Sequence, residues 1–196
     1  MLRIYRIPFS TNVERVALAL GHKGLSCDWV DVEAEDRTPV VEVSGQPLVP
    51  VVVTDDGRVL NDSPAILRWI EETWPEPPLL PARAAARAEV LVFCDWFNRV
   101  WKRPPNAIAH GDSDPALVTE LRGSMDVFEG LLDGRDHLFG DFSLADVTAF
   151  PFLKYAAGLP VGDDELFHRI LAENLPLERH PRVAEWIRRV DERPRA

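Results

Sequence analysis

The chain has 196 residues, 46% of them hydrophobic, which excludes intrinsic disorder and leaves room for one large domain or two small ones. Lysine and arginine total 22 against 32 aspartates and glutamates, and the formal net charge of -10 argues against a broad basic face for nucleic acid or a membrane surface. Two cysteines, Cys27 and Cys94, are too few for a disulfide framework, no apolar run approaches the roughly 18 residues needed to span a bilayer, and the N-terminus lacks the apolar core of a signal peptide. The expectation is a cytoplasmic protein whose partners are small molecules or proteins.

In chain order, Leu2-Arg3-Ile4-Tyr5-Arg6-Ile7 is rich in β-formers and stops at Pro8, which cannot donate to a sheet ladder. Val13, Val16, Ala17 and Leu20 then recur at helical spacing, with Gly21 or Gly24 as the stop. Trp29-Val30-Asp31-Val32 reads as a second strand, and a helix start at Thr38-Pro39 runs to the Gly45-Gln46-Pro47 breaker. Pro50-Val51-Val52-Val53 and Arg58-Val59-Leu60 flank Asp55-Asp56-Gly57, the pattern of a hairpin. A third helix starts at Ser63-Pro64, with Ser63 as its N-cap, and turns Ile66, Leu67, Ile70 and Trp74 inward.

Pro75-Glu76-Pro77-Pro78-Leu79-Leu80-Pro81 has the composition of a stiff linker, and beyond it almost no strand pattern remains. Ala82 to Trp101 and Pro115 to Leu132 read as helices, Ser143-Leu144-Ala145-Asp146 as a capping box, and Pro181 opens a last helix bearing Val183, Trp186, Ile187 and Val190. The expected class is α+β: a β-α-β-α-β-β-α domain over 1–76, a linker over 77–83 and an all-helical domain over 84–196.

Three places in the first domain carry chemistry. The turn Pro8-Phe9-Ser10-Thr11-Asn12 points backbone N–H groups and a helix N-terminus at whatever occupies it, and Ser10 can donate a further hydrogen bond; the plainer reading is that Ser10, Thr11 or Asn12 caps the helix. Val49-Pro50 is an edge residue of a strand or a cis turn that presents the backbone to a ligand. Asp62-Ser63-Pro64 sets a carboxylate and a hydroxyl at a helix start, suited to an amino-acid head group or to ordinary capping. Phe93, Trp96, Phe97, Val100 and Trp101 form an apolar stripe, core by default, of which Phe97 and Trp101 can instead face a ligand. His22, His110, His137, His168 and His180 show no metal-ligand spacing, so no metal is expected.

With these segments together, the sequence resembles the cytosolic glutathione transferases of the serine type, in the manner of the tau and zeta classes. The resemblance rests on Ser10 followed by Arg15-Val16-Ala17-Leu18-Ala19-Leu20, on Val49-Pro50, on Asp62-Ser63 with Ile66-Leu67-Arg68-Trp69-Ile70, on Gly140-Asp141-Phe142-Ser143-Leu144-Ala145-Asp146, and on His180-Pro181 to Trp186. It implies a thioredoxin-like domain followed by a helical domain, a homodimer, and glutathione as co-substrate without a metal.

By the same resemblance Ser10 donates a hydrogen bond to the glutathione sulfur, Val49 beside Pro50 pairs its backbone with the cysteinyl residue, and Asp62 and Ser63 hold the γ-glutamyl end, with Asn12 alongside. Phe9, Phe97 and Trp101 line the pocket of a small hydrophobic electrophile, and Arg15 is structural. Ser10 and Val13 stand where thioredoxin-like oxidoreductases carry two cysteines, which excludes dithiol exchange there. The chain departs from the family pattern in having Asp62 in place of a longer Glu or Gln, and in Gln46-Pro47-Leu48, which lacks a Lys or His before Val-Pro. The resemblance thus implies a glutathione S-transferase. Its rivals are a non-catalytic binding or scaffold protein of the same fold and a glutathione-dependent isomerase or dehalogenase, although the turn Ser10-Thr11-Asn12-Val13-Glu14 lacks the Ser-Ser-Cys run of the zeta-type isomerases.

Overall fold

The computed structural model describes residues 2–196; Met1, the first residue of the expected 1–76 domain, lies outside the described residues. The chain forms two compact units, one running to Leu79 and taking in Arg193–Ala196, the other Leu80–Glu192. The division falls inside the proline-rich segment, while the last four residues join the first unit rather than the helical one.

The first unit is built from β1 (Leu2–Arg6), α1 (Thr11–His22), β2 (Cys27–Asp31), α2 (Thr38–Ser44), β3 (Val51–Val53), β4 (Val59–Asn61) and α3 (Ser63–Thr73). The sheet order is β2-β1-β3-β4, with β2 parallel to β1 and the other neighbours antiparallel. Alternation along the strands separates its two faces. Ile7, Val32, Val40 and Val51 form a buried cluster beneath α2, with Tyr5, Val43 and Val49 against it. Ile4 and Val52, paired across β1 and β3, are fully buried on the opposite face, where α1 and α3 bury Val16, Leu20, Ile66 and Ile70.

Local chemistry explains the element ends. Gly24, at φ 65°, supplies the left-handed residue after α1, with Leu25 N–H bonded to Leu20 O at 2.9 Å and Gly24 N–H to Gly21 O at 3.1 Å. Gly21 is therefore interior to α1, and Gly24 is the stop. Gly57, at φ 81°, closes the hairpin of β3 and β4, and Thr54 braces that turn through Asp56. The N-cap of α3 is Asp62 and not Ser63, which is the first helical residue.

The second unit is helical: α4 (Ala84–Trp96), a π-helical turn (Phe97–Trp101), α5 (Arg103–Ala109), α6 (Pro115–Leu131), α7 (Leu144–Leu153), a 3-10 turn (Lys154–Ala157), α8 (Leu166–Asn174) and α9 (Pro181–Asp191). Every residue of α7 is buried, and the Ser143/Asp146 capping box opens it. The Asp146 carboxylate accepts from Leu138 N–H at 3.1 Å, Ser143 N–H at 2.9 Å and the Trp186 indole at 2.8 Å. Burial pushes its carboxyl above the usual range in spite of those donors. No helix among the described residues is long and apolar enough to cross a membrane.

Candidate functional site

Register brings the three sequence segments to one place. Tyr5 pairs with Val51 across β1 and β3, and Val51 pairs with Asn61 across β3 and β4, so Tyr5, Val51 and Asn61 form one row across the sheet. Antiparallel pairing then carries the chain past that row at the same edge in all three strands. Beyond Tyr5 it leads to Phe9 and Ser10, before Val51 stand Val49 and Pro50, and after Asn61 come Asp62 and Ser63. The Val49-Pro50 peptide bond is cis.

Two residues at this edge adopt a backbone that L side chains rarely take. Phe9 at φ 62° and Asp62 at φ 68° are the non-glycine residues with positive φ among the described residues, and each directly precedes one of the two serines. Such conformations cost about 1–3 kcal/mol each and gather where function requires them. Phe9 is 38% exposed, which leaves an apolar ring beside Ser10.

Ser10 is the N-cap of α1, and its Oγ accepts from Val13 N–H at 3.5 Å. That bond uses an oxygen lone pair and leaves the hydroxyl proton for another acceptor, so capping and donation to an anion are compatible. Asn12 and Ser63 meet directly: Ser63 Oγ donates to Asn12 Oδ1 at 3.2 Å, and Arg15 Nη1 donates to Asn12 Oδ1 at 3.2 Å and to Ser63 Oγ at 3.4 Å. Arg15 is 1% exposed and Ser63 4%, so this network locks the start of α3 to α1. The Ser63 hydroxyl is thereby committed inward. At the start of α3, Asp62 makes no side-chain cap, so the N–H groups of its first turn have no capping side chain there.

Around Val49, Gln46 does not substitute for a cation. Its amide is spent on its own loop, donating to Leu48 O at 2.9 Å and accepting from Leu48 N–H at 2.7 Å. A cation does reach this loop from Arg37, whose guanidinium donates to Ala34 O at 2.8 Å and Pro47 O at 3.4 Å. Sequence reading passed it over because it lies ten residues before that loop. A basic residue flanking the Thr38-Pro39 helix start was the available signal. Burial pushes the thiol of Cys27 on β2 up to about 11, which disfavours its thiolate at neutral pH.

In the helical unit, Phe97 is fully buried among Phe93, Trp101, Phe128 and Phe152, with ring centroids 4.3–6.3 Å apart. The expectation that Phe97 lines an electrophile pocket gives way to a core role, because aromatic neighbours leave it no free surface. Trp101 stacks on Phe97, and its indole donates to Ser124 Oγ at 2.8 Å. It borders a cleft of about 260 Å³ with Trp96, Val100, Pro104, Leu121 and Val127. No group of three or more His, Cys, Asp or Glu side chains suited to a metal occurs among the described residues. His168, for example, holds Asp163 at 2.9 Å and stacks on Tyr155, and His180 bonds Pro176 O at 2.7 Å.

Comparison with known proteins places the whole chain in one family. Residues 4–78 match the glutathione S-transferase N-terminal domain and residues 58–189 the glutathione S-transferase C-terminal domain. The chain is 31% identical to a maleylacetoacetate isomerase of Pseudomonas aeruginosa over 173 residues, covering 80% of this chain and 81% of that protein. It is 27% identical to glutathione S-transferase U1 of Arabidopsis thaliana over 201 residues, covering 98% and 84%. A crystal structure of a glutathione S-transferase from Rhodospirillum rubrum superposes with a TM-score of 0.75 at 30% identity, covering 99% of this chain and 89% of that one.

Proposed function

Because the chain belongs to the glutathione S-transferase family, we propose that the edge beyond the Tyr5, Val51 and Asn61 row binds glutathione and that Ser10 activates its thiol for attack on a small hydrophobic electrophile. The observation that carries this reading is the convergence of Ser10, cis-Val49-Pro50 and Asp62-Ser63 on one sheet edge. Val49 pairs its backbone with the cysteinyl residue, and the exposed carboxylate of Asp62 faces the ammonium. The γ-glutamyl carboxylate sits on the uncapped start of α3, whose N–H groups and dipole favour an anion. Asn12 and Arg15 hold that start in place, and Arg37, whose guanidinium reaches Pro47 O at 3.4 Å, is the cation we assign to a glycyl carboxylate lodged by Val49.

The chemistry follows from charge. Donation from the Ser10 hydroxyl stabilises thiolate over thiol, and each unit by which the sulfur pKa falls corresponds to about 1.4 kcal/mol. The thiolate attacks the electrophilic carbon, the carbon–sulfur bond forms, and the displaced electron pair leaves with the departing group or is protonated. Phe9 offers the apolar surface beside the sulfur. The protein acts as a cytoplasmic homodimer in this reading and needs no metal.

A second reading is a glutathione-dependent isomerase, favoured by the relative from Pseudomonas aeruginosa. One experiment separates these readings from a scaffold. Glutathione at a hundred times its dissociation constant raises stability by about 2.7 kcal/mol. Conjugation of an aryl halide is then compared between wild type and Ser10→Ala. Stabilisation with Ser10-dependent conjugation supports the transferase, stabilisation with isomerisation alone supports the second reading, and no stabilisation overturns both.

A further inference from the structure

Both places where the chain crosses between units come together on one imidazole of the first unit. His22, at the end of α1, has its Nε2 3.2 Å from Pro78 O, in the outgoing segment, and its Nδ1 3.0 Å from Arg193 Nη2, in the returning one. The partners fix the tautomer. A carbonyl only accepts, so Nε2 carries the proton, and a guanidinium only donates, so Nδ1 is bare.

The returning segment is seated along α1 by more than this contact. Arg195 pairs with Glu14 at 3.0 Å, Ala196 N–H donates to Ala17 O at 3.1 Å, and the Trp29 indole donates to an Ala196 oxygen at 3.1 Å. Gly21 makes room for it, since a Cβ there would stand 2.2 Å from Pro194 O. The outgoing segment has a second holder, because Lys23 Nζ lies 2.5 Å from Glu71 and 2.7 Å from Pro77 O.

We propose that His22 is a proton-sensitive clasp: neutral, it holds residues 193–196 on α1 through Arg193, and protonated, it lets that segment go while Lys23 and Glu71 keep the outgoing segment in place. Protonation puts an N–H on Nδ1 facing the guanidinium, which replaces a hydrogen bond with two opposed donors and two like charges. The charged groups around the ring are Arg193 on the returning segment, Lys23 on α1 and Glu71 on α3, with Pro78 O on the outgoing segment. Burial, first of all, holds the imidazole below its ordinary 6.5; Arg193 and Lys23 add to that, while Pro78 O and Glu71 oppose it. The sign follows. The docked form has the depressed value, so docking is at full strength above 6.5 and is lost as pH falls through the docked value. Each unit of depression changes the docked-to-free ratio about tenfold.

The test follows the Trp29 indole N–H resonance of the full chain by nuclear magnetic resonance from pH 8 to pH 5. Gly21→Ala, whose methyl group collides with Pro194 and whose helix propensity is better than glycine's, defines the free position. Wild type is expected at a distinct docked position at pH 8 and to move to the free position with a midpoint below 6.5. His22→Gln, which keeps a neutral donor and acceptor, is expected to stay docked throughout. The proposal is overturned if wild type does not move, if His22→Gln moves as wild type does or is free already at pH 8, or if Gly21→Ala is indistinguishable from wild type at pH 8.

Discussion

Replacing Asp62 by glycine is expected to strengthen the fold and weaken the site at once. Asp62 sits at φ 68°, ψ 110°, makes no side-chain cap and is exposed, so its removal costs the fold no hydrogen bond. A left-handed φ at an L residue costs about 1–2 kcal/mol, and glycine escapes that cost while adding about 0.5–1 kcal/mol of unfolded-state entropy. The difference is a gain of about 0.5–1 kcal/mol, or about 1–4 °C in melting temperature for a chain of this size. The same change removes the carboxylate assigned to the ammonium of glutathione. A charged hydrogen bond is worth about 1.5–3 kcal/mol, so the dissociation constant is expected to rise at least tenfold. Thermal melting without glutathione reads the first effect and calorimetric titration the second. Destabilisation by more than 1 kcal/mol would refute the strain argument, and an unchanged dissociation constant would refute the assignment of Asp62 to the ligand.

Other outcomes follow from buried charge and from thiol burial. Lys23→Met is expected to cost about 3–5 kcal/mol in urea denaturation because Glu71 is left nearly buried without its cation, and Lys23→Met with Glu71→Leu should recover much of it; equal loss in the double variant contradicts this. Asp146→Ala strands the Leu138, Ser143 and Trp186 donors and is expected to cost about 3–5 kcal/mol, whereas a loss under 1 kcal/mol would show that the carboxylate does not hold α7 and α9 together. Cys27, pushed from 9.0 to about 11, holds roughly 100-fold less thiolate at neutral pH than its ordinary value gives, so its alkylation followed by peptide mapping should be slower by about that factor. Labelling at the rate of a free thiol would contradict it.

Much of the fold is legible because its signals are local. The period of Val13, Val16, Ala17 and Leu20, the Asp55-Asp56-Gly57 turn, the Thr38-Pro39 start and the Ser143/Asp146 box each report on a few neighbouring residues, and each element lies where its pattern implies. The features that escaped the sequence are set by contacts far apart along the chain. Ser63 reads as an N-cap, yet its hydroxyl turns to Asn12 and Arg15, about fifty positions earlier. Phe97 looks equally fit for pocket or core until Phe128 and Phe152 close around it. Residues 193–196 carry no periodic signal at all, and their place in the first unit is set by contacts far along the chain, to His22, Glu14, Ala17 and Trp29, with the bare Cα of Gly21 opposite Pro194. The left-handed backbone at Phe9 and Asp62 has no propensity signal either, since neither residue type demands it.

The central claim is that the Ser10 hydroxyl lowers the pKa of a bound glutathione thiol. It is tested most directly by following thiolate absorbance of bound glutathione against pH in wild type and in Ser10→Ala. A thiol pKa depressed below that of free glutathione in wild type, returning toward the free value in Ser10→Ala with binding retained, is the predicted result. An identical thiol pKa in the two proteins, with glutathione bound to both, would contradict the account.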